Sequence, residues 1–181
     1  MFSGWNDPRA VAPVVAEMAG TFLFFFVGMG AVVMGSHTGD GGGGLVGVAL
    51  AHGLALAVLV SALGPISGGH FNPAVTLGVW ITGRIDATRA GVYVAAQLLG
   101  GLAAGLALRL VFPESSWEPV ALGTPAIGAG ISVLSAIVIE AILTMVLLFA
   151  VFFRPSIGGR RRSAAWPSVS QWRPTSSWAA L

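Results

Sequence analysis

The stretch Ser67-Gly68-Gly69-His70-Phe71-Asn72-Pro73-Ala74-Val75-Thr76 carries the residues best suited to chemistry, and it follows directly on an apolar run that ends near Leu63. Asn72 is a good helix N-cap, and Pro73 suits the first helical position. The Asn72 side chain also holds an amide NH2 that can donate to a passing oxygen. Gly68 and Gly69 let the backbone approach a lumen, so this stretch can offer a ladder of carbonyl acceptors. Such groups at membrane depth are tolerated only where they are buried in protein or line water. The chemistry they suit is selective passage of a small molecule, not bond-making. The apolar part, Ala74 to Ile81, is about two turns long, with Thr82-Gly83 as a stop. It reads as a half-helix over about 72–82 that dips to mid-membrane and returns to the same side. Its N-terminus adds roughly half a positive charge. At ~5 Å and an effective dielectric of ~20, that opposes a cation by roughly 1.5–2 kcal/mol.

Two acids inside apolar stretches form the second constellation. Glu17 and Thr21 recur at the same spacing as Glu140 and Thr144. A membrane-buried acid costs roughly 2.5–3.5 kcal/mol on insertion scales. Either each is an isolated interior residue, or the two are matching points of an internal repeat, which an offset of three spans would make inverted. The three histidines divide. His37 sits in a Gly-rich loop and reads as a solvated bystander. His70 either lines the path or pins the loop under the half-helix; the pinning role is preferred because the neighbouring carbonyls matter more to passage. His52, in Ala51-His52-Gly53, is either a buried residue satisfied by a neighbouring helix or a lining group.

Elements able to hold these residues follow from composition. The chain has 181 residues, is 55% hydrophobic and only 9% charged, and its mean hydropathy is +0.85. A soluble domain is about 25% charged. This is therefore a membrane protein, all-α, with four spans at about 12–35, 44–63, 88–112 and 128–153. The pI near 10.5 reflects Arg in short loops and the tail; those are orientation signals, not a nucleic-acid surface. Arg9, Arg84, Arg89, Arg154 and Arg160–Arg162 fall on one side. Arg109, Asp40, Glu114 and Glu118 fall on the other. The N-terminus, half-helix loop and tail are thus expected in the cytoplasm. Gly101-x-x-x-Gly105 would permit a close helix crossing. Phe22 and Phe24–Phe26 read as lipid- or helix-facing bulk. Trp80 reads as packing or an interfacial anchor. There is no Cys, so disulfides and thiolate metal sites are excluded. No nucleophile–base pair, metal cluster or cofactor motif is evident, which argues against an enzyme.

Gly-Gly-His-Phe-Asn-Pro-Ala-Val-Thr after an apolar span, with the paired Glu-x-x-x-Thr, resembles the aquaporin (major intrinsic protein) family over about residues 12–159. The resemblance implies an aquaporin-like right-handed helical bundle, here of four transmembrane helices plus one re-entrant half-helix. It implies a passive channel for water and possibly small neutral solutes such as ammonia or glycerol. It makes Gly68–Ala74 the pore loop and Glu17, Thr21, Glu140 and Thr144 its braces. His52 becomes a selectivity-filter residue, at a position where water-strict members carry Phe. A homotetramer in a cell (inner) membrane, with no cofactor, completes the expectation.

The departures are as specific as the match. A counterpart of Asn72 in the second repeat would fall beyond Leu181. The filter Arg that should follow it is not found. After Gly159 the composition changes: residues 160–181 are basic, without Gly or Phe, and hold three of the six Trp. A frameshift in a bacterial, GC-rich coding sequence is the expected origin of this tail. The alternative is a basic, Trp-containing segment lying on the membrane surface. The chain alone is therefore expected to conduct little water, or to act as a non-conducting partner of full-length subunits.

Overall fold

The computed structural model describes residues 8–39 and 43–153; the tail 160–181, Arg154 and Asp40 lie outside the described residues. The described residues form six α-helices, α1 Pro8–Thr38, α2 Gly44–Ser67, α3 Pro73–Ile81, α4 Ala87–Val111, α5 Glu114–Trp117 and α6 Val133–Phe153, with a 3-10 turn at Ala121–Gly123. Among the described residues there is no strand. Four helices are long and apolar enough to cross a membrane: α1 from Ala10, α2, α4 and α6.

The boundaries differ from expectation in three instructive places. Helix α2 runs on to Ser67, through Gly64 and Pro65, rather than ending near Leu63. Proline removes one ladder bond, and so late in a helix that loss is small. Gly68, at φ 104°, then closes the turn with its N–H on the Gly64 carbonyl, as a left-handed C-terminal glycine does. Helix α6 begins at Val133, not 128. Gly130 takes φ 79°, and the Ser132 hydroxyl accepts from the Ser135 N–H at 3.1 Å, setting the cap there. Helix α1 reaches Thr38, so His37 is in its last turn and not in a loop. His37 Nδ1 lies 2.8 Å from Ser116 Oγ, which ties α1 to α5.

Asn72 caps the short helix α3. Asn72 Oδ1 accepts from Ala74 N at 2.7 Å and from Val75 N at 3.3 Å. Gly83, at φ 71°, ends the element beside Thr82. With 9 residues, α3 is about 14 Å long, under half of the ~30 Å hydrocarbon core.

Helix α1 is the spine, packed on both α2 and α4, while α3 lies between α4 and α6. The buried face of α4 is Ala90, Tyr93, Ala96, Gln97, Gly100, Ala104 and Leu108, a helical stripe of mostly small residues. The close crossing is made by Gly100, not by the Gly101/Gly105 pair. A Cβ at 100 would strike the Met18 carbonyl oxygen, whereas Gly105 has nothing within 4 Å. Among the described helices α6 packs only on α3, and it buries no residue. Its contact is tight: a Cβ on Gly78 would lie 2.7 Å from the Leu148 side chain. Arg84 adds a cation–π contact over Phe152, 4.3 Å from the ring centroid.

Gly100→Val should destabilise the bundle by about 1–3 kcal/mol, the usual cost of overpacking, while Gly105→Ala should be neutral. Thermal unfolding in detergent distinguishes them; equal midpoints would show that the α1–α4 crossing is not where the structure puts it.

Candidate functional site

Glu17 organises the site. It is fully buried in α1, nine residues and thus about 14 Å from the helix start. Ser67 Oγ donates to its Oε1 at 2.6 Å, and the His70 backbone N–H donates to the same atom at 3.0 Å. The Phe71 N–H donates to Oε2 at 2.7 Å, and Gln97 Nε2 donates there at 2.8 Å. Four donors and no acceptor face the carboxyl group, an arrangement that suits an ionised carboxylate, which only accepts. Thr21 donates to the Glu17 carbonyl at 2.8 Å, so it supports the helix rather than the loop.

The loop between α2 and α3 is wound to meet this carboxylate. Gly68 and Gly69 have φ of 104° and 69°, and Phe71 has φ of 48°. A bulky residue in the left-handed region costs free energy. Two contacts offset that cost: the N–H bond to Glu17, and burial of the Phe71 ring over Gly20, where a Cβ would collide with it. Gly69 N–H donates to Ser67 Oγ at 3.1 Å. Every N–H from Gly68 to Phe71 thus has a partner, whereas no described residue donates to the carbonyls of Gly68, Gly69, His70 or Phe71.

His70 takes the pinning role. It is buried, with Nδ1 3.1 Å from Thr76 Oγ1 and its ring edge-on to Tyr93. The Thr76 hydroxyl donates to the Asn72 carbonyl at 3.1 Å and accepts from Gln97 Nε2 at 2.9 Å. Its one proton is therefore used, so His70 Nδ1 carries the proton in their contact. Asn72 spends its Oδ1 on the α3 cap, and its amide NH2 has no partner among the described residues.

These groups border a cavity of about 270 Å³, lined by Gly68–Asn72, Phe24 of α1, Gly53, Leu56, Ala57 and Val60 of α2, and Leu147, Ala150 and Val151 of α6. Phe24 therefore faces the cavity and is not simply lipid-facing bulk. His52 is half-buried beside the cavity without lining it; its Nδ1 lies 2.8 Å from the Val48 carbonyl oxygen, and its ring is edge-on to Phe24. Pro73 and Ala74 sit at the head of α3, with Ala74 exposed. Glu140 is exposed on α6 and Thr144 half-buried; no described residue bonds either one. Of the four residues expected to brace loops, only Glu17 bonds this loop.

Gln97, Tyr93 and Gly20 escaped the sequence reading. Gln97 links Glu17 to Thr76, and Tyr93 donates to the Ser67 carbonyl at 2.9 Å. A polar Gln and the single Tyr, four residues apart in an otherwise apolar span, were the available signal. Gln97 Oε1 is buried without a partner.

Comparison with known proteins agrees with this geometry. The family model described as Major intrinsic protein matches residues 4–164. Aquaporin TIP4-4 of Zea mays is 46% identical over 163 residues, covering 85% of this chain and 63% of its own length. Aquaporin TIP1-2 of Zea mays is 40% identical over 151 residues, covering 81% of this chain and 58% of its own. Aquaporin Z of Photorhabdus laumondii is 38% identical over 145 residues, covering 76% and 63%. The chain thus spans about six-tenths of the length of these curated relatives.

Glu17→Gln places an NH2 against donors it must repel. We expect a loss of about 2–3 kcal/mol, as for hydrogen bonds to a charged group, read from unfolding midpoints. A variant as stable as the parent would remove Glu17 from the centre of the site.

Proposed function

The chain belongs to the major intrinsic protein family, and we propose that its re-entrant loop and cavity form part of a passive path for water and small neutral solutes across a cell membrane. The observation that carries this reading is the division of the loop's backbone. Its N–H groups turn to Gly64, Ser67 and Glu17, while four successive carbonyls beside a cavity accept from no described residue. Buried carbonyls need partners, and a file of water molecules supplies them. The free Asn72 NH2 at the head of α3 then donates to the oxygen of a passing molecule. The positive end of α3 opposes cations. No bond-making chemistry is involved.

The N-terminus and the α3–α4 loop lie on the cytoplasmic side in this proposal, because Arg84 and Arg89 outweigh Arg109, which shares its side with Glu114 and Glu118. Helix α6 buries no side chain, and α2 and α6 border the cavity without packing on each other. Those uncovered apolar faces support assembly with further protein. A homotetramer, or association with full-length subunits, fits that need; co-purification with such a subunit distinguishes the second. Glu140 and Thr144 brace a second loop in the same reading.

The lack of cysteine makes the aqueous path directly testable. A hydrophilic thiol reagent should modify Ala57→Cys and Leu147→Cys, which face the cavity, much faster than Val58→Cys and Leu143→Cys, which face outward. Equal rates at all four would refute a water-lined cavity. Liposomes holding the 181-residue chain alone should swell little faster than empty ones, since the cavity is open between α2 and α6. A large water flux of low activation energy would show that the chain closes a pore by itself.

A further inference from the structure

Two contacts fix α6 against α3 and the turn that follows it. From Thr144 onward, the residues of α6 that are not exposed are Thr144, Leu147, Leu148, Val151 and Phe152, the spacing of one helical stripe. That stripe divides between two neighbours. Leu147 and Val151 line the cavity. Leu148 meets Gly78, where a Cβ would lie 2.7 Å from its methyl carbons. Phe152 meets the Arg84 guanidinium, whose carbon lies 4.3 Å from the ring centroid. Leu148 and Phe152 are about 6 Å apart along the axis, one turn. Arg84 moves with α3, because its N–H donates to the Val79 carbonyl at 3.1 Å and the Gly83 N–H donates to the Trp80 carbonyl at 2.8 Å.

We propose that Gly78 and Arg84 are positioning residues for the path, a notch and a clasp that together set the height and rotation of α6 and so turn Leu147 and Val151 into the cavity. One contact alone would leave the helix free to pivot. The notch stops sliding, since Leu148 fits only where a side chain is missing. The clasp, one turn further on, stops rotation about that point. With both engaged, α6 presents aliphatic side chains to the cavity, and the loop carbonyls remain its polar side. A passing molecule then finds acceptors on the loop and none on Leu147 or Val151, which keeps it in register with Gly68–Phe71. The effect on passage rests on the function proposed above; the two-point attachment does not.

Spin labels on the full 181-residue chain in a lipid bilayer test the attachment first, since the chain has no Cys of its own. Labels at Val58→Cys on α2 and Leu143→Cys on α6 both sit at exposed positions, and their distance distribution should be narrow. Gly78→Val should shift it, and adding Leu148→Ala should bring it back, because space is then made on the other side of the notch. Arg84→Gln, at an exposed position, should broaden the distribution. Phe152→Leu should broaden it as much, and the two together no further. Thiol modification then reads the wall: the excess rate of Leu147→Cys over Leu143→Cys should fall several-fold in the Arg84→Gln background. If Gly78→Val does not fold, the Arg84 and Phe152 variants decide alone. A distribution unmoved by Arg84→Gln, a broadening that Phe152→Leu does not share, or a Gly78→Val shift that Leu148→Ala does not reverse overturns the proposal. Equal modification of Leu147→Cys and Leu143→Cys without further substitution, with the distances behaving as expected, would instead count against the aqueous path and the wall's effect on it.

Discussion

A single buried carboxylate holds an irregular stretch of backbone whose N–H groups no regular ladder satisfies. Glu17 collects donors from the end of α2, from two successive loop amides and from α4. Placing an acid at this depth costs roughly 2.5–3.5 kcal/mol on insertion scales. Hydrogen bonds to a charged group contribute about 1.5–3 kcal/mol each. Four of them outweigh the cost even at the low end, which is why a charge in this position can be stabilising rather than tolerated. The same bonds fix which way the loop faces. With its N–H groups committed on the Glu17 side, its carbonyls are left for the cavity.

Side-chain deletions let the pieces come close enough for that carboxylate to reach. Gly20 makes room for the Phe71 ring, Gly100 lets α4 meet the α1 backbone at Met18, and Gly78 admits Leu148 of α6. Gln97 then joins α4, through Thr76, to the cap of α3. Loop, half-helix and two spans therefore form one hydrogen-bonded unit, while α6 is attached to it along α3 and by Arg84 on Phe152. Stability and lumen geometry are coupled on the first unit and loosely coupled on the last.

Much of this was readable before any coordinates. Asn72-Pro73 announces a capped helix because each residue has a local reason to be there, and Glu17 announces a partner because an isolated acid is costly in lipid. What failed to show depends on phase and reach. Gly101-x-x-x-Gly105 has the right pattern, yet Gly100 makes the crossing, about 100° around the helix. A run of small residues does not tell which of them faces its neighbour. His37 looked like loop because glycines follow it, but α1 extends far enough to set it against Ser116. Gln97 and Tyr93 act only through residues distant in sequence, so neither leaves a local motif. Glu140 repeats the Glu17 pattern in sequence and not in surroundings, since it is exposed on α6 and no described side chain reaches it.

Hydrogen exchange at the amides of His70 and Phe71, measured in a lipid bilayer, tests the central role of Glu17 most directly. Both amides belong to an irregular segment bordering a cavity, where exchange would ordinarily be fast. The account predicts protection matching the ladders of α1 and α4, lost at both positions together when Glu17 is replaced by Ala. Rapid exchange in the parent chain, or protection that survives that replacement, would contradict it.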